Sequence, residues 1–287
     1  MKILITGSDG QLGSELVEQL EKSSQNIDLC KATISDFDIT DYDKTKYYIL
    51  NFSPDLIINC AANTNVDDCE KNIDLAYRVN AIGSRNVALS ANICDASLVY
   101  ISTDYIFDGS MDRPYNEFDI PNPLNIYAKT KLAGECFVKD FTHKFYIIRT
   151  SWLYGKNGHN FVKTILKLAK KDSELKVVDD QIGSPTDAKS LALQIIKIID
   201  RGIYGTYNVS CNGYCSWYEF ACEIVKLADM RAKIVPIRTE DYPLPATRPK
   251  YSVLDNYMLR LENIDIMPNW NDSLINFLNE NRVEDLV

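Results

Sequence analysis

Histidine is scarce in this sequence. The two present, His143 and His159, lie too far apart to argue for a metal site or a catalytic triad. The eight cysteines are scattered, with no Cys-x-x-Cys pair. Cys211, Cys215 and Cys222 fit no familiar zinc spacing, so no metal is expected. No apolar run is long enough to span a bilayer. The run that opens the chain, Ile3-Leu4-Ile5, is too short for a signal peptide. Thiols without a secretory signal are read as reduced, which predicts a cytoplasmic protein. A basic excess is also missing: 31 Lys and Arg against 40 Asp and Glu leave a net charge of −9. That balance excludes an electrostatic footprint for nucleic acid and gives no attraction to an anionic membrane. Internal repeats and low-complexity segments are absent.

What remains is an ordinary globular composition, 46% hydrophobic and 25% charged over 287 residues, enough for one large domain or two modest ones. Short apolar segments predict strands at 2–6, 27–31, 55–62, 98–102 and 145–150. Helical patterns lie between them, including 75–91. Five strands in βαβ order predict an α/β fold, a doubly wound parallel sheet of the Rossmann type over 1–150. Residues 151–287 change pattern and predict a smaller carboxyl-terminal substrate-binding domain, with some segments free to return to the first. Helices are expected there at 161–170, 188–200, 217–228 and 271–281, and extended segments at 175–178, 206–210 and 234–237.

In such sheets ligands sit outside the carboxyl ends of the strands. Three polar or small clusters fall at those ends. Gly7-Ser-Asp-Gly10-Gln11-Leu12-Gly13 follows the first strand and opens a helix, so its amides and helix dipole favour a phosphate. Ala61-Ala62 closes the third strand, where small side chains let a ligand approach the backbone. Ser102-Thr103-Asp104 closes the fourth. Downstream, Tyr127 and Lys131 form an i,i+4 pair on one helix face. A phenol is a poor acid near neutrality, and a neighbouring ammonium is expected to lower its pKa. A tuned Tyr127 can then exchange a proton, with the Thr103 hydroxyl in the same site.

The Ser-Thr-Asp strand end with Tyr-x-x-x-Lys resembles the extended short-chain dehydrogenase/reductases. The fuller strings STDYIFDG and YAKTKLAGE resemble their dTDP-4-dehydrorhamnose reductase branch. So do RTSWLYG, DDQIGSPT and the Arg-Pro at 248–249, and the likeness spans nearly the whole chain. The Gly-x-x-Gly-x-x-Gly spacing departs from the common dehydrogenase fingerprint and matches this superfamily.

The resemblance implies an NADPH- or NADH-dependent reduction of the 4-keto group of a nucleotide-linked 6-deoxy sugar. Thr103, Tyr127 and Lys131 would be catalytic. Gly7, Gly10, Gln11, Leu12, Gly13, Asp38, Ile39, Ala62, Asn63, Thr64 and Ile101 would bind the cofactor, together with Tyr127 and Lys131. Asp38 and Ile39 would lie by the adenine, and Ala62, Asn63 and Thr64 by the pyrophosphate and ribose. Thr103, Asp104, Trp152 and Arg248 would meet the substrate, Trp152 on the sugar ring and Arg248 on a phosphate, with a surface ion pair as the other reading of Arg248. Asn80 is expected to brace the active-site strand. The second strand ends in Cys30-Lys31, without the carboxylate that many NAD enzymes set against the ribose, which leaves NADPH open. Lys31 is either a cofactor contact or an ordinary surface lysine. A homodimer is among the assemblies left open. Two other readings stay open as well: a sugar-nucleotide epimerase of the same superfamily, and a non-catalytic subunit like the regulatory subunit of methionine adenosyltransferase.

Overall fold

The computed structural model describes residues 1–23 and 26–286. Its central sheet takes β1 (Lys2–Thr6), β2 (Asp28–Ala32), β3 (Leu56–Asn59), β4 (Ser97–Thr103) and β5 (Phe145–Thr150) from the first half of the chain. A sixth strand, Gly205–Asn208, comes from the second half and lies on the far edge beside β5. The order is Gly205–Asn208, β5, β4, β3, β1, β2, and every neighbouring pair runs parallel. The third strand is thus shorter than the apolar run 55–62 suggested, because the chain leaves the ladder at Cys60 to form the ligand edge.

Both faces of this sheet are covered, which is why its central strands β1, β3, β4 and β5 read as largely apolar runs. Alternate residues divide between two cores, as the period of two requires. Ile3, Ile5, Leu56, Ile58, Val99 and Ile148 face one side. There α1 (Gln11–Lys22) brings Leu12, Leu16 and Leu20. Leu4, Ile57, Leu98, Tyr100 and Ile147 face the other, against α2 (Tyr42–Phe52), which contributes Ile49.

The segment expected as one helix over 75–91 is more articulated. Val66–Lys71 forms α3 and Ile73–Tyr77 forms α4. Then Arg78–Gly83 is a π-helical turn, followed by α5 (Ser84–Ile93). Amphipathic spacing cannot register the extra residue of a π turn. Such turns are frequent at functional sites, and this one carries Asn80.

The Tyr-x-x-x-Lys motif opens α6 (Ile126–Phe141), whose N-cap Asn125 accepts a hydrogen bond from the Ala128 amide. Beyond β5 come α7 (Phe161–Ala169), α8 (Ala188–Arg201) and α9 (Trp217–Leu227). Residues of α8 (Leu191, Ile195, Ile198) share the core of α1, so 188–208 is built onto the first sheet. Most of the remaining carboxyl-terminal elements gather around a third core of Tyr154, Val162, Leu166, Val177, Phe220, Ile224 and Leu274, while Leu259, Ile264 and Met267 join the first. Within it Glu174–Val178 pairs with Lys233–Ile237 in parallel. The helix expected to end the chain, here Trp270–Glu280, is followed by a short helical turn, Val283–Leu286. Among the described residues, no helix is long and apolar enough to cross a membrane.

Candidate active site

The chain leaves β1 toward β2 on one side and later places β3 on the other. The crevice at this reversal is where an open α/β sheet receives a ligand. Gly7 stands at the end of β1 with φ of +62°, and a Cβ there would meet the Ala61 backbone nitrogen at 2.9 Å. At Gly13 a Cβ would overlap Gly7 O and come within 2.9 Å of Gly7 C. The glycines therefore let the turn, the first helix and the end of β3 close on one another, leaving the amides at the start of α1 free for an anion. This cradle fits a dinucleotide pyrophosphate.

Two cavities meet at the turn. One, of about 430 Å³, is lined by Gly7, Gly10, Thr33, Asp38, Ile39 and Arg78 among others. Asp38 Oδ1 accepts the Thr40 amide at 2.9 Å, and Ile39 is largely packed beneath Gly83. Lys31 does not line this cavity; its ammonium is paired with Glu21 of α1. Of its two readings the structure favours the surface lysine, and the basic side chain at the cavity is Arg78, which was not singled out from sequence.

The second cavity, of about 520 Å³, brings together Gly10, Gln11, Leu12, Gly13, Ala62, Thr64, Ile101, Thr103, Asp104, Tyr127, Lys131 and Trp152. Most of the residues expected to act together thus line one cleft. Asn63 does not line it. Instead, its backbone amide and carbonyl are clamped by the side chain of Asn80 (2.8 and 3.0 Å), which also donates to Thr130 Oγ1 at 3.0 Å. Asn80 therefore braces the loop after β3 against α6. At the cleft rim Asn160 Nδ2 donates to Gln11 Oε1 at 3.0 Å, tying the start of α7 to the glycine turn.

At the chemical centre, Thr103 Oγ1 donates to Asp104 Oδ1 at 3.0 Å and accepts the Tyr105 amide at 3.2 Å. Burial raises the Tyr127 phenol above its ordinary value, and a hydrogen bond with Thr103 offsets only part of this. Lys131, 3% exposed, has its ammonium 4.3 Å from the centre of the Tyr100 ring. Burial pushes its pKa down to about 7, against the attraction of Glu135. The expectation that Lys131 lowers the Tyr127 pKa is therefore not met in the protein alone, because desolvation dominates both groups. Burial likewise lifts the Asp104 carboxyl to about 7, although the hydroxyls of Ser252 and Thr103 favour its charge.

Trp152 adopts φ of +45° and stacks on Trp217, with centroids 3.4 Å apart and planes 5° from parallel. One face of the indole expected to carry a sugar ring is thus occupied by a second tryptophan that the sequence did not single out. Arg248 is engaged in an ion pair, one of the two readings open from sequence. Its fork is closed on Asp67, with Nη1–Oδ1 at 3.1 Å and Nη2–Oδ2 at 2.7 Å. The guanidinium holds the Asp67 carboxyl below its usual range. It lines a third, mostly apolar cavity of about 550 Å³ with Lys176, Gln181, Thr239 and Lys250, adjoining the catalytic cleft through Tyr105 and Trp217. No cluster of metal-ligating side chains occurs among the described residues.

A doubly wound parallel sheet, a glycine cradle at its switch point and a Tyr-x-x-x-Lys helix beside it define a Rossmann-type reductase of the extended short-chain dehydrogenase/reductase superfamily. Within it, the chain belongs to the family described as RmlD substrate binding domain, which matches residues 1–283. It is 42% identical over 280 residues, 97% of each chain, to the spore coat polysaccharide biosynthesis protein SpsK of Bacillus subtilis. Among solved structures it is similar to a dTDP-4-dehydrorhamnose reductase of Clostridium acetobutylicum, at 49% identity and a TM-score of 0.95, covering 98% of this chain and 99% of that one. A dTDP-4-dehydrorhamnose reductase of Bacillus anthracis, solved in complex with NADP, is 46% identical with a TM-score of 0.94 and the same coverage.

Proposed function

We propose that the chain catalyses NAD(P)H-dependent reduction of the 4-keto group of a nucleotide-linked 6-deoxy sugar, dTDP-4-dehydrorhamnose to dTDP-L-rhamnose. The observation that carries this reading is the convergence of Thr103, Tyr127 and Lys131 with the glycine cradle in one cleft. The cofactor, held by the cradle and by the cavity at Asp38 and Ile39, supplies the hydride. Tyr127 gives a proton to the carbonyl oxygen, and Thr103 hydrogen-bonds that oxygen. Lys131 holds the nicotinamide ribose and, as an ammonium, favours the phenolate left after proton transfer. The adjoining cavity with Lys176, Lys250 and Arg248 has the apolar walls and cationic rim that suit the nucleotide part of the substrate. Eight free thiols support a cytoplasmic setting.

Purified protein given dTDP-4-dehydrorhamnose should consume reduced cofactor in stoichiometric amounts. An epimerase returns its hydride and shows no net consumption, so turnover of substrate without cofactor oxidation would sink the reading. Both cofactors should serve, because no carboxylate ends β2 and Arg78 stands at the adenosine cavity. Comparing kcat/KM for NADPH and NADH tests this. An NADH preference of about three orders of magnitude, equivalent to about 4 kcal/mol, would count against it.

A further inference from the structure

Behind the catalytic helix lies a buried ion pair that the reaction as described does not use. Glu135, on α6, is 1% exposed and Arg149, on β5, is 3% exposed. The guanidinium donates Nε to Glu135 Oε1 at 3.0 Å and Nη2 to Oε2 at 2.8 Å. Ser102, which lines the catalytic cleft beside Thr103, donates its hydroxyl to Oε1 at 2.6 Å. Three donors thus fix the carboxylate, and Arg149 is itself packed over the Phe107 ring. Glu135 is four residues beyond Lys131, so the two lie on the same helical face one turn apart.

We propose that Glu135 is a positioning residue whose fixed negative charge keeps the buried Lys131 ammonium protonated at the floor of the catalytic cleft. The argument rests on the proposed role of Lys131. An ammonium sealed from water is disfavoured unless an opposite charge offsets its lost hydration. The titratable and charged groups around Lys131 are Tyr127 and Glu135 on α6, Tyr100 and Asp104 from β4 and its end, Cys60 after β3, and Arg149 on β5. The π-helical turn offers uncharged Asn80. Cys60 is a neutral thiol, its pKa pushed up to about 12 by burial. Glu135 is the carboxylate whose attraction opposes the desolvation of Lys131. Arg149 and Ser102 hold it to that task, and their elements β5 and β4 carry the rest of the site.

A clamp that merely joined α6, β4 and β5 would leave the lysine's titration unchanged, and this separates the two roles. Isotope-edited NMR of the lysine Nζ groups reads the titration in the full chain without substrate, with Lys131→Met assigning the signal. Glu135→Gln should move the Lys131 midpoint down by about one pH unit. The alkaline limb of kcat/KM should move down with it, since the ammonium is then lost at lower pH. Because Glu135→Gln strands a buried guanidinium, the companion is Glu135→Met with Arg149→Met, which replaces both members by apolar side chains of similar size. It should fold and show a smaller shift in the same direction, because loss of the more distant Arg149 charge offsets part of the effect of losing Glu135. A wild-type Lys131 midpoint in either folded variant overturns the proposal. A shifted midpoint with an unchanged pH profile of turnover supports it and removes Lys131 from the reduction instead.

Discussion

Tyr127→Phe should lower kcat by about two to four orders of magnitude, the usual worth of a general acid. The substitution removes one hydroxyl and keeps the ring, so the helix start, its Asn125 cap and the cleft walls stay in place. Cofactor affinity should therefore change little. Lys131→Met should lower kcat and also weaken the cofactor, and the two losses should fall short of additive, because the lysine acts partly through the tyrosine. The pH profile distinguishes their contributions. Burial holds the phenol above its ordinary value and Lys131 at about 7. The alkaline fall of kcat/KM, which reports the free enzyme, should thus begin near neutrality and belong to Lys131. It should persist in the residual activity of Tyr127→Phe and vanish in Lys131→Met. Activity of Tyr127→Phe within tenfold of wild type on the true substrate would take proton donation away from this residue and assign it to another group in the cleft.

The pH argument also shows where sequence reasoning stopped. The i,i+4 pair, its helix and its strand partner were legible, because a period of 3.6 and a polar strand end are local signals. The net direction of the Tyr127 shift was not, since it depends on how deeply both groups are covered. For Arg248 the sequence left an ion pair and a phosphate contact open and could not name the pair's partner. Its partner Asp67 is distant in sequence, and only the packing of the 243–249 loop against α3 closes the fork. Lys31 looked available because a strand end faces the crevice, yet the side chain turns back to Glu21. The five first strands could be read from apolar runs, while Gly205–Asn208 could be read only as extended; its place beside β5 is a long-range pairing with no local mark. Glu135 did carry a signal, four residues beyond Lys131 in the same motif, but a charged residue on a helix reads as solvated until its burial is known.

Steric fit at the phosphate turn gives the other large effect. At Gly10, the middle glycine of the turn, backbone would approach the pyrophosphate. A Cβ at Gly10, however, meets only Gly7 O, at 3.2 Å, so Gly10→Val should fold and lose cofactor by obstructing the ligand. Gly13 is different. A Cβ there would overlap Gly7 O and press on Gly7 C and Ser8 Cα, both at 2.9 Å, and all three are backbone. No rotamer relieves such a contact, so α1 must move off the turn. Overpacking of this kind costs about 1–3 kcal/mol of stability. It also shifts the amides that face the phosphates, and misplacement by about 1 Å is worth about 100-fold. Gly13→Ala should therefore weaken NADPH and NADH alike by about two orders of magnitude in Kd by calorimetry, while lowering Tm by several degrees. The loss should be equal for the two cofactors, because the pyrophosphate is common to both and Arg78 at the adenosine cavity is untouched. Native affinity in Gly13→Ala would mean that the pyrophosphate does not rest on this turn, and the cofactor site would have to be sought elsewhere in the cleft.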